Sequence, residues 1–167
     1  MRSLLAMRQQ PLYTRLQAGL LLKNSVRRSL GTFSPELVEA LKPQLLQGVA
    51  DPERQVRRTV GTCIATLAVQ MGGEEAWLEL WPVLVPTLAA GLDSGDPAAV
   101  DGCLDCLLKV CEDAPEWMAA DATQPLEAIL PRMFGLFTAV GLGRIVTLHD
   151  CPPTSHRNRS HIRYLCF

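Results

Sequence analysis

Aromatic side chains are scarce in this 167-residue chain, 5% of the total, while leucine and alanine are plentiful. That balance argues against a β-sandwich, whose strands draw on β-branched and aromatic residues, and favours helices packed through aliphatic side chains. No apolar run is long enough for a bilayer: Leu80–Leu92, the longest, is 13 residues with two prolines inside it, where about 20 are needed. Met1–Gln10 has one short apolar patch and no small-residue cleavage site, which reads against a secretory signal. With a net charge of −1, the total gives no pull towards nucleic acid or a membrane surface, and neither is expected as a partner. Histidine occurs only three times, at His149, His156 and His161.

The charge that is present is arranged in blocks. Residues 1–58 carry ten Lys/Arg against four Asp/Glu, residues 59–138 carry two against twelve, and residues 139–167 carry four against one. A basic start therefore meets an acidic middle and a basic end, and such blocks become separate charged surfaces that bias encounter with partners.

Proline supplies the strongest signal. Pro43, Pro86 and Pro131 stand 43 and 45 residues apart, each inside an apolar stretch that reads as a helix. A period of about 40–47 residues with two helices per unit is the mark of HEAT-type repeats, whose antiparallel helix pairs stack to bury a shared core. The predicted fold is all-α, an α-solenoid of HEAT repeats over residues 12–138, after a poorly ordered start at 1–11.

Leu12, Leu16, Leu20, Leu22 and Val26 mark a first amphipathic helix over 12–30, with Arg15, Lys23, Arg27 and Arg28 between them. Ser34-Pro35-Glu36 starts the next, with a side-chain oxygen at the cap, proline at the first helical position and an acid in the first turn. That outer helix bends at Pro43. Asp51-Pro52-Glu53 caps an inner helix running to Met71 that buries Val56, Val60, Ile64 and Leu67. The cycle repeats with an outer helix from Trp77 to Leu92 bent at Pro86. Asp96-Pro97 then caps an inner helix that buries Val100, Leu104, Leu107 and Cys111. A third outer helix opens near Pro125 and bends at Pro131. Its inner partner, due near residue 141, is not legible: residues 139–167 show neither caps nor helical period, and consecutive prolines follow Cys151, so this segment reads as a disordered tail. Unpaired helices at the two ends are expected to expose Leu16, Leu20, Phe134 and Phe137.

Six cysteines raise disulfide and zinc readings. Cys63, Cys103, Cys106 and Cys111 lie among Leu, Val and Ile in predicted helices, where cysteine acts as a small buried hydrophobe, and the C-x-x-C at 103–106 is mid-helix without a βαβ context. A reducing compartment fits. His149, Cys151, His156, His161 and Cys166 match no standard zinc spacing, and Gly141-x-Gly143 has neither the strand nor the capped helix of a phosphate loop. Nothing brings a nucleophile and a base together, so neither catalysis nor a cofactor is expected. Contact residues are the better candidates. The faces of the inner helices turned from the core show Arg54, Arg57, Arg58 and Gln70 on one, and Asp101, Asp105, Lys109 and Glu112 on the other; a merely solvated face reads equally well for each singly.

Four segments carry a resemblance: RLQAGLLLKN at 15–24, VRRTVG at 56–61, KVCEDAPE at 109–116 and QPLEAILPRMF at 124–134. Together they resemble the karyopherin-β (importin-β) family of nuclear import receptors, in its transportin branch, over roughly residues 12–138. The resemblance implies a HEAT superhelix whose N-terminal arch binds Ran-GTP through inner helices, with protein cargo held elsewhere in the complete receptor, and a life between cytoplasm and nucleus. On this chain it implies Lys23, Asn24, Arg57, Arg58, Asp101, Asp105 and Lys109 as Ran-GTP contacts. Where the family continues with another inner helix, residues 139–167 depart from it, which reads as an altered end, and the start reads as a truncated entry into the repeats. Two rival readings stand beside it: a generic HEAT scaffold or adaptor for protein complexes, which shares the period, and, from another class, a zinc-dependent tail with an activity of its own.

Overall fold

The computed structural model describes residues 9–71, 81–113 and 125–149, with side chains as far as Ala139. Within these residues there are six α-helices and a short 3₁₀ turn, and no strand. They are α1 (Leu12–Ser29), α2 (Pro35–Gly48), α3 (Arg54–Gln70), α4 (Leu84–Leu92), α5 (Pro97–Asp113) and α6 (Pro125–His149), with the 3₁₀ turn Leu30–Thr32 after α1. The chain forms two compact units that divide within α6, between Phe134 and Gly135, and the core lies in the first.

In that unit α1, α3 and α5 form an inner layer, each packed on the next, while α2 covers α3 and α4 covers α5 from outside. The inner helices run the same way. Arg15 of α1 meets Asp51 just before α3 and Gly19 meets Cys63 further along it, while Arg57 and Gly61 of α3 meet Asp101 and Cys106 of α5, so both members of each pair advance together. This is the expected HEAT-repeat solenoid. Central α3 is clothed on most sides, burying Val56, Ile64 and Leu67 with Cys63, Ala65 and Ala68. Its approach to α5 is close at small residues: a Cβ on Gly61 would fall 3.4 Å from the Cys106 Cα.

Local chemistry explains the helix ends. The Ser34 hydroxyl accepts from the Leu37 amide at 3.3 Å, and Pro35 opens α2 as predicted. The two Asp-Pro pairs do different work. Asp96 accepts from the Ala98 amide at 3.1 Å directly before α5, as expected, but α3 begins only at Arg54, and Asp51 instead accepts from the Glu53 amide at 2.9 Å in the turn before it. The reason is burial: Asp51 is drawn under α1 by Arg15, whose Nη1 donates to its Oδ2 at 2.7 Å.

Pro43 lies inside α2, exposed, where its missing N–H leaves the Glu39 carbonyl without an intrahelical donor, and Pro131 lies inside α6. Pro86 departs from expectation. No helix runs through Trp81–Val83; α4 starts at Leu84, so Pro86 falls in its first turn, where an amide would be unpaired anyway. Pro82 and Pro86, four residues apart, disfavour a continuous helix there. Trp77 and Leu80 lie outside the described residues.

Two further expectations are corrected. Cys111 is exposed, because it sits on the side of α5 turned away from α3 and α4, whereas Cys63, Cys103 and Cys106 are buried. Helix α6 continues to His149, beyond the predicted limit at 138; no proline follows Pro131 before that point to stop it. The proline-rich stretch after Cys151 lies outside the described residues, as do the cysteines and two of the histidines considered for zinc. Leu20, Phe134 and Phe137 are exposed as expected, and Leu16 is half-buried. No helix among the described residues is long and apolar enough to cross a membrane.

Candidate partner-binding surface

The charged residues of α3 and α5 form a ladder along the inner layer. Arg57 is its fixed rung. It is 7% exposed: Nε and Nη2 donate to Asp101 Oδ2 at 3.1 and 2.6 Å, and Nη1 donates to the carbonyls of Asp51 and Pro52 at 2.8 and 3.0 Å. One guanidinium thus ties the α2–α3 turn to α5. The expectation of an exposed Arg57 is overturned, since a planar fork of donors is better satisfied by two carbonyls and a carboxylate than by water alone. The Arg57 hydrogen bond, backed by the charges of Arg57, Arg54 and Arg58, holds the Asp101 carboxyl below its usual range.

Around this rung the ladder is open. Arg54 and Arg58 are exposed, with Nε atoms 3.8 Å from Asp101 and 3.6 Å from Asp105. Asp105 also pairs with Lys109 one turn along α5, and both are half-buried. On α1, Asn24 is exposed and Lys23 half-buried near Cys63. The structure therefore brings Arg57, Arg58, Asp101, Asp105 and Lys109 into one network, and leaves Lys23 and Asn24 on the neighbouring helix outside its hydrogen bonds and ion pairs. Arg54 belongs to this network by position; its i, i+4 spacing to Arg58 was the available signal. Arg15 with Asp51 is a second inter-helix pair that sequence reasoning took for a surface cation and a cap. Their separation of 36 residues, near one repeat, was the only clue.

Such a surface offers alternating charge and hydrogen-bonding groups, suited to a protein partner. Burial pushes the thiols of Cys63 and Cys103 up to about 11 and that of Cys106 up to about 12, so at neutral pH these three are unionised.

No family model matches the chain. Individual relatives do. Transportin-1 of mouse and of human are each 34% identical to it over 125 residues, covering 74% of this chain. Over that stretch the chain is transportin-like. Transportin-1 of rice is 33% identical over 127 residues, and importin subunit beta-2 of Schizosaccharomyces pombe is 33% identical over 126. The chain spans 13–14% of the length of these transportins and of the yeast importin. The resemblance seen in its four segments, and the helical repeats, are those of karyopherins.

Proposed function

We propose that this chain supplies part of the Ran-binding arch of a nuclear import receptor of the transportin type, working between cytoplasm and nucleus, by binding and without catalysis. The observation that carries this reading is the ladder on the inner helices, where Arg54 and Arg58 stand exposed beside Asp101 and Asp105. Relatives named transportin and importin supply the class of activity. In this reading Arg58, Asp105, Lys109, Lys23 and Asn24 contact GTP-loaded Ran directly. Arg57 and Asp101 hold α3 and α5 in the register that presents them. Protein cargo is bound by the complete receptor and not by these repeats.

Pull-down of purified Ran, loaded with GTP or GDP, on the immobilised chain tests the proposal. Retention of the GTP form only is expected, weakened by Arg58→Ala or Asn24→Ala with helicity unchanged. Retention indifferent to nucleotide, or none at all, would refute it, and nucleotide-independent capture would favour a general scaffold instead.

A further inference from the structure

Arginines of the inner layer are used in two opposite ways. Arg15 and Arg57 turn inward and give their donors to Asp51, Pro52 and Asp101. Arg54 and Arg58 turn outward. They stand one turn apart on α3, about 6 Å along its axis, and their side chains are 71% and 64% exposed. Each lies within ion-pair range of one α5 carboxylate, yet among the described residues neither donates a hydrogen bond. Each planar fork of N–H donors is therefore left to solvent. The charge is unbalanced as well. Four cations, Arg54, Arg57, Arg58 and Lys109, face two carboxylates, Asp101 and Asp105, which leaves the network at a net +2.

Helix α5 shows what such a pair accepts. Asp101 and Asp105, also one turn apart, approach Arg54 and Arg58 in that order at 3.8 and 3.6 Å, because the two helices run parallel. Two carboxylates on successive turns of a helix thus match the spacing of the two arginines. These distances are too long for hydrogen bonds, and Asp101 is already engaged by Arg57 and Asp105 by Lys109. The forks keep their capacity for a bidentate carboxylate from outside the chain. We propose that Arg54 and Arg58 form a docking site for a helix of a protein partner that carries two acidic residues four positions apart. This rests on the reading of the ladder as a partner-binding face, but not on the partner being Ran.

Fluorescence anisotropy of the full 167-residue chain with two labelled peptides at low salt is the test. Both peptides are Ala-rich helices with blocked ends and two glutamates, set four positions apart in one and two apart in the other. Net charge is equal, and only the first presents both carboxylates on one face. It should bind about threefold to tenfold more tightly, the gain expected of exposed ion pairs with good geometry. Arg54→Gln or Arg58→Gln should abolish the preference. Arg58→Lys should reduce it although the charge is kept, since an ammonium has no fork. Arg28→Gln, an exposed cation of α1, removes the same charge and should leave the preference intact. All three positions are exposed, so circular dichroism should show unchanged helicity in every variant. Equal binding of the two peptides, binding of neither, or a preference that survives Arg54→Gln and Arg58→Gln overturns the inference. A chain that retains Ran-GTP without choosing between the peptides would sink this inference and spare the Ran reading; one that chooses between them but ignores Ran-GTP would do the reverse.

Discussion

Arg57 spends every guanidinium contact inside the chain, on the Asp51 and Pro52 carbonyls and on Asp101. Replacing it with methionine keeps the aliphatic stem and leaves a buried carbonyl without its donor, a loss of about 1–3 kcal/mol. Lysine, with one compact ammonium, should not restore it; chemical denaturation of the three proteins gives the comparison. The Asp101 partner makes this term pH-dependent. Its folded pKa lies below its unfolded one, so the stabilisation is complete above the ordinary carboxylate range near 4 and fades as pH falls through the lowered folded value. Asp101→Asn should flatten that part of the acid profile, and an unchanged profile would rule this linkage out. Thiol chemistry offers a second residue-scale check. Among Cys63, Cys103, Cys106 and Cys111, only Cys111 is exposed, so iodoacetamide at neutral pH should label it first by peptide mass mapping. Burial raises the Cys111 thiol as well, which makes the labelling slow but does not block it. Prior modification of Cys106 would contradict the packing of α5.

At the level of elements, three prolines at one period have different consequences because of where each helix begins. Pro43 sits in mid-helix on the exposed side of α2, and Pro86 in the first turn of α4. Pro43→Ala is therefore expected to raise the melting temperature, with an upper bound of about 3 kcal/mol, by restoring a donor to the Glu39 carbonyl. Pro86→Ala should leave it nearly unchanged; equal effects from the two substitutions would contradict the assigned start of α4. Most helix starts were legible because their signals are local: Ser34-Pro35 and Asp96-Pro97 act on amides two or three residues away. The start of α3 was misjudged by a residue or two. Asp51 there answers to Arg15, a partner 36 residues distant, and no window of sequence around the cap contains it.

For the molecule as a whole, stability in a stacked repeat is a sum of units and nearest-neighbour interfaces. Ile64 is fully buried in central α3, the helix that packs against α1 on one side and α5 on the other. Ile64→Ala should cost about 2–5 kcal/mol and speed hydrogen exchange through α1, α3 and α5 together. Val26→Ala, in terminal α1, should speed exchange in α1 and leave α5 as it was. A uniform response to both would mean a single cooperative core rather than a stack. The candidate surface belongs to this scale too: Arg58 and Asp105 are 47 positions apart in sequence and adjacent only because α3 and α5 stack in register.

Sequence alone determined the all-α class, the repeat length and most helix boundaries, because periodicity, caps and proline spacing are properties of neighbouring residues. It also marked which cysteines of α3 and α5 sit among apolar residues. Only the tertiary structure decided that Arg57 is buried, that Cys111 is exposed and that Asp51 serves α1. Burial and ion pairing depend on which helix arrives alongside, and that is set by contacts about 36–47 residues apart, beyond the reach of any local pattern.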